Sequence, residues 1–195
     1  MKLTTRRIAF AGILAALYTV VTLIELLIYP ELPYAAVQFR IAEALAVLCC
    51  FTPAAIPGMV IGCVVSNFFS PVGAWDIVIG SFATLLASVV TWLMSRSLRT
   101  VEHSASGAVK DKKLSLRKLL VVLLVPLPTI LFNAFIVGAE ITLVYPTEGE
   151  AFWTAYGANA LSVGLGETAV LYALGVPLLI WLLKNKSLFR LMRSF

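Results

Sequence analysis

Arg40 and Glu43 stand inside an otherwise apolar stretch, Val37-Gln38-Phe39-Arg40-Ile41-Ala42-Glu43-Ala44-Leu45-Ala46-Val47-Leu48, with the amide of Gln38 two residues ahead of the guanidinium. Residues three apart share a helix face, so Arg40 and Glu43 form either a neutral structural ion pair or part of a site. Ionisable groups at membrane depth are costly and normally face a bundle interior or a cavity. Further polar groups in apolar stretches are Asn67, Asp76, Asn133, Glu140 and Glu167. Asn133 and Glu140 are seven residues apart, two helical turns, hence on one face. Glu43, Asp76, Glu140 and Glu167 then face a single cation, Arg40. Such an excess of acceptors suits a ligand rich in N–H donors, or a cationic one, and fits an anionic vitamin such as a folate poorly. Each residue also has a plainer reading. Glu140 and Glu167 can sit without a ligand, Glu25 at the interface, Asp76 as a helix cap, Asn67 and Asn133 as interhelical hydrogen-bond glue, and Trp75 and Trp153 as interface-belt aromatics.

The elements that must position these groups are set by composition. Of 195 residues, 61% are hydrophobic and 13% charged, with a mean hydropathy of +0.97. A soluble domain is roughly 45–50% apolar, so the chain reads as an all-α integral membrane protein, one domain over residues 1–195. At about 20 residues per crossing, it reads as a compact bundle of six helices over residues 8–29, 37–51, 54–69, 75–94, 119–143 and 161–183. The second and third are short. They form either a tilted pair or a helical hairpin buried by the others. Pro30-Glu31-Leu32-Pro33, Thr52-Pro53 and Ser70-Pro71-Val72-Gly73 are turns, and residues 96–118 and 145–157 are loops. The first apolar run resembles a signal sequence, but it is long and is followed by more spans, so it reads as a retained helix.

Six spans put both termini and the 96–118 loop on one side. That side holds three Lys/Arg at the start, seven in the loop and four in the tail, 14 of the 15, with Arg40 the exception. The positive-inside rule makes it cytoplasmic, so the expected location is the cell membrane, multi-pass, both termini inside. The net charge of +5 is then a topology signal, with no nucleic-acid partner. Eight of the ten acids fall at or toward the outer side, and polar groups from five or six spans converge at one depth, the pattern of a solvent-accessible pocket in the outer half.

Several function classes drop out. Cys49, Cys50 and Cys63 lie in or beside apolar segments and read as small fillers. The lone His103 sits in a polar loop and makes no metal site. No nucleophile–base pair appears, so no enzyme and no cofactor is expected. No Gly-Lys-Ser/Thr step occurs, so energy for uphill transport comes from an ion gradient or another chain. Ala11/Ala15 and Gly12/Ala16, each four apart in the first span, and Gly58/Gly62 in the third let helices approach closely, either within the bundle or toward a partner.

The stretch around Arg40, followed by Phe51-Thr52-Pro53-Ala54-Ala55-Ile56-Pro57-Gly58 and by Asp76-Ile77-Val78-Ile79-Gly80-Ser81, resembles the QueT family, with Gly166-Glu167 also fitting. These are substrate-binding (S) components of energy-coupling factor transporters, assigned to queuosine precursors. The resemblance implies a six-helix bundle that captures a scarce base outside. It implies docking, through a small-residue motif like Ala11-x-x-x-Ala15, onto a transmembrane coupling subunit with two ATPases, followed by toppling in the membrane. A deazaguanine offers a ring N–H and an exocyclic amine on one edge for a carboxylate and a carbonyl for Arg40 or an Asn, with a face for Trp75, Phe39 or Trp153 to stack on. The expected substrate-binding set is Gln38, Arg40, Glu43, Asn67, Trp75, Asp76, Asn133, Glu140 and Glu167, and the docking set Ala11, Gly12, Ala15 and Ala16. The alternative is a self-contained proton-coupled carrier using one of the same glutamates as relay, which uptake into vesicles lacking any ATPase distinguishes.

Overall fold

A computed structural model of the chain describes residues 5–28, 39–70, 73–95, 116–146 and 149–193. Every regular element among them is helical. Among the described residues, four stretches are long and apolar enough to cross a membrane: α1 (Thr5–Ile28), α3 (Ala74–Met94), Leu119–Val144 and Phe152–Lys184. Between the first two lie a 3-10 helix, Ile41–Cys50, and α2 (Ala55–Asn67). Large apolar side chains such as Ile13, Leu27, Val78 and Leu161 point outward and are well exposed, as a lipid-facing surface requires.

The short second element has a physical reason. Its ten residues include Ala42, Ala44 and Ala46, whose small side chains tolerate the eclipsed i,i+3 stacking of a 3-10 helix. At about 2.0 Å per residue it reaches roughly 20 Å, where an α-helix would reach about 15 Å. Nearly all of it is buried. Thr52, whose hydroxyl accepts from Ala54 N at 3.2 Å, turns the chain into α2, which buries one face and leaves Ile61 and Val65 exposed on the other.

Proline organises the third long segment. Pro126 and Pro128 break it into α4 (Leu116–Leu124) and α5 (Leu127–Phe132), and a π-helical turn, Asn133–Val137, leads into α6 (Gly138–Val144). Pro177, lacking an N–H, likewise follows a second π turn, Leu171–Gly175, between α7 (Phe152–Val170) and α8 (Val176–Lys184). The 145–157 segment expected as a loop is already helical from Phe152 onward, and the last span starts nine residues earlier than its apolar run suggested. Polar Thr154, Tyr156 and Asn159 hide that start from a hydropathy reading. A short α9 (Lys186–Arg193) closes one end, its Phe189 ring packing edge-on against Phe51 at 5.7 Å.

α1 packs on α2 through glycine. A Cβ on Gly58 would lie 2.9 Å from the Ala11 carbonyl oxygen, and one on Gly62 2.7 Å from the Tyr18 Cβ. Ala11 and Ala15 are buried on this face while Gly12 and Ala16 are exposed. Ala11 and Ala15 therefore serve the internal contact with α2, and Gly12 and Ala16 are the outward pair. Gly62→Ala is expected to destabilise the protein by about 1–2 kcal/mol through overpacking, read as a lowered unfolding temperature in detergent.

Candidate ligand-binding site

One end of the bundle gathers buried polar side chains from every long element. On α1, Tyr18, Thr22 and Glu25 follow Ala11, Leu14 and Ala15 along a single buried stripe. The Tyr18 hydroxyl donates to Glu43 Oε1 at 2.6 Å, and Thr84 of α3 lies 3.5 Å from the same oxygen. Glu25 Oε1 accepts from Ile41 N at 2.6 Å. It thus satisfies an orphan donor at the start of the 3-10 helix, and Glu25 is buried structure rather than an interfacial group.

Arg40 precedes the 3-10 helix with an extended backbone (φ −93°, ψ 93°), so the same-face geometry of helical i,i+3 neighbours does not apply to it. Its guanidinium reaches across to α3 and pairs with Asp76 Oδ2 at 3.0 Å, both side chains buried. An ion pair with Glu43 was the alternative reading, and the chosen partner is Asp76. Asn67, at the end of α2, donates to the Asp76 carbonyl at 2.7 Å. Gly80 makes room for this arrangement, since a Cβ there would meet Asp76 Oδ1 at 2.5 Å and Asn67 Nδ2 at 2.9 Å.

The second wall comes from the last two spans. Asn133, the first residue of the π turn, donates to Glu167 Oε1 at 2.9 Å. α3 packs on the Asn133–Val137 turn and on α6, and the 3-10 helix packs on α7, so the two walls face each other. Among the described residues, ten buried side-chain oxygens have no hydrogen-bond partner, and seven of them belong to these acids and this amide: Glu25 Oε2, Glu43 Oε2, Asn67 Oδ1, Asp76 Oδ1, both oxygens of Glu140, and Glu167 Oε2; the other three are the hydroxyls of Ser81, Ser88 and Thr91 on α3. A buried acceptor left unmade costs about 1–3 kcal/mol. This cluster therefore holds several acceptors that the chain's own donors do not meet.

Of the expected site residues, Arg40, Glu43, Asn67, Asp76, Asn133, Glu140 and Glu167 come together here. Gln38 lies outside the described residues. Trp75 is 64% exposed and lies apart from this buried group. It sits about 100° around the helix from Asp76, and its ring turns outward. Trp153 is exposed too, packed edge-on against Phe152 and Tyr156. Residues missed from sequence are Tyr18, Thr84 and Cys63, the last lying 3.4 Å from the Thr84 hydroxyl and 3.5 Å from Asn67 Nδ2 and so more than a filler. The signal for Tyr18 was its seven-residue spacing from Glu25. Tyr18→Phe is expected to cost about 1.5–3 kcal/mol, the range for a hydrogen bond to a charged group, measured by chemical or thermal unfolding.

A cavity of about 460 Å³ between α5 and α7 is large enough for a base. Its walls include Ile130, Leu131, Ala134, Phe135 and Leu165, which offer a polar ligand almost nothing to bond, so the polar cluster is the better candidate.

An apolar helical bundle with four stretches able to cross a bilayer, closed over a buried polar cluster, has the make-up of a multi-pass membrane protein. The chain belongs to the QueT transporter family, whose model matches residues 8–184. It is 35% identical over 86 residues to the queuosine precursor transporter QueT of Lactococcus lactis subsp. cremoris (strain MG1363), an alignment covering 44% of this chain and 48% of that protein, about half the length of each. No solved structure matches.

Proposed function

We propose that the chain is the substrate-binding component of an energy-coupling factor importer and takes a queuosine precursor, a 7-deazaguanine base such as the aminomethyl form or queuine, from outside the cell. The observation that carries this is the set of seven unpartnered acceptor oxygens around one ion-paired arginine. A deazaguanine presents a ring N–H, an exocyclic amine and a pyrrole N–H, and the aminomethyl form adds a cation. Family membership and the name of the Lactococcus relative support the same ligand class.

In this reading Glu43, Glu140 and Glu167 accept N–H or ammonium groups. Arg40 meets the carbonyl of the base, and Asn67, Asp76 and Asn133 make secondary contacts. Phe39, half-buried next to Arg40 in the chain, supplies an aromatic face for the ring. The whole chain acts as one binding domain in a six-helix topology with both termini cytoplasmic. Uptake is driven by a transmembrane coupling subunit and two ATPases, and Gly12 and Ala16 form the docking face on α1. Binding of aminomethyl-deazaguanine to purified Glu43→Gln, Glu140→Gln and Glu167→Gln tests it. Each is expected to lose about 1–3 kcal/mol of affinity, or more where the ligand group is charged. Three variants that bind like wild type would remove this cluster from consideration.

A further inference from the structure

We propose that Glu140, and not Glu43, accepts the two-donor edge of the base, and that Tyr18 is the positioning residue that restricts Glu43 to a single acceptor. This rests on the reading of the cluster as a base-binding site and adds the orientation of the ligand within it.

The carboxylates are not equivalent. Glu43 has Oε1 taken by the Tyr18 hydroxyl at 2.6 Å, with Thr84 on the same side, and only Oε2 open. Glu167 has Oε1 already engaged by Asn133 at 2.9 Å, and Oε2 is its unpartnered oxygen. Glu140 has both oxygens buried and unpartnered. A ring N–H and an adjacent exocyclic amine are parallel donors, and they need two acceptor oxygens side by side on one carboxylate. Of the three, Glu140 alone has neither oxygen engaged by a donor of the chain, so it takes both without sharing an acceptor.

Tyr18 cannot give way easily. It is fully buried, and its ring is held against Gly62, where a Cβ would lie 3.0 Å from its Cγ. The hydroxyl therefore keeps Glu43 Oε1 occupied and its plane fixed, leaving Oε2 for one isolated N–H. The base then lies with its amidine-like edge toward α6 and its single-donor side toward the 3-10 helix.

The test compares two probes, 7-deazaguanine and 7-deazahypoxanthine, which lacks the exocyclic amine, by calorimetric titration of the full chain in nanodiscs. Wild type is expected to prefer 7-deazaguanine by about tenfold or more, the value of one well-made hydrogen bond to a carboxylate. In Glu140→Gln the preference is expected to vanish or invert, because the new amide N–H₂ faces a donor. Glu140→Asp, with two oxygens kept, retains it. In Glu43→Gln both probes weaken but the ratio survives. Tyr18→Phe weakens both and adds no further loss on top of Glu43→Gln, as a positioning role requires and a purely structural role would not. A ratio that survives in Glu140→Gln and collapses in Glu43→Gln overturns the orientation while leaving the site standing. Failure of wild type to bind either probe, or wild-type affinity in both glutamine variants, overturns the site itself and this inference with it.

Discussion

Arg40→Leu is expected to be the most destabilising single change at the polar cluster, at about 3–5 kcal/mol, because it leaves the Asp76 carboxylate buried without its counter-charge. The pair is 3.0 Å apart with both side chains almost fully buried, so water cannot replace the lost partner. The companion experiment is the double variant Arg40→Met/Asp76→Leu. Replacing a whole buried ion pair with apolar groups is often neutral or stabilising, and Asn67 keeps its bond because it donates to the Asp76 main-chain carbonyl. The double variant is therefore expected to unfold at a higher temperature than Arg40→Leu. A double variant less stable than either single one would mean that the pair contributes more than mutual neutralisation.

The second large effect is at Gly138. A Cβ there would lie 2.7 Å from Ala160 Cα and 2.9 Å from Ala160 N. Main-chain atoms of a packed helix cannot rotate away as a side chain can, so α6 and α7 must separate. Gly138→Val is expected to cost about 3 kcal/mol or more, the upper part of the range for overpacking. Because Glu140 is two residues on, the same shift moves it relative to Glu167. The variant is expected to lose affinity beyond what lost stability explains, seen by titration well below its unfolding temperature. Unchanged affinity would place Glu140 outside the ligand contact.

Much of the cluster was legible because the bilayer makes polar residues conspicuous. Arg40, Glu43, Asn67, Asp76, Asn133, Glu140 and Glu167 stood out as costly groups in apolar runs, and the structure brings all seven together. Tyr18 and Thr84 did not stand out, because a tyrosine or threonine in a span is unremarkable until its hydroxyl finds a carboxylate. Pairing was the weakest inference. Spacing joined Arg40 to Glu43, yet Arg40 lies before the helix proper, and its direction is set by an extended backbone that no local pattern reveals. Ala11/Ala15 and Gly12/Ala16 present the same spacing on adjacent faces of α1, and only the packing of Gly58 and Gly62 decides which pair turns inward. The start of the last span was hidden for a related reason, since Thr154, Tyr156 and Asn159 dilute its hydropathy while Asn159 Nδ2 is bonded to the Thr142 hydroxyl at 2.9 Å.

The most direct test of a buried acceptor cluster made for an N–H-rich base is the small molecule that the protein itself retains. The full chain is purified from cells supplied with a mixed metabolite extract, denatured, and the released compounds are identified by mass spectrometry. The expected result is a 7-deazaguanine, present in wild type and depleted from Glu43→Gln, Glu140→Gln and Glu167→Gln. An anionic or donor-poor compound, retained equally by wild type and all three variants, would contradict the account.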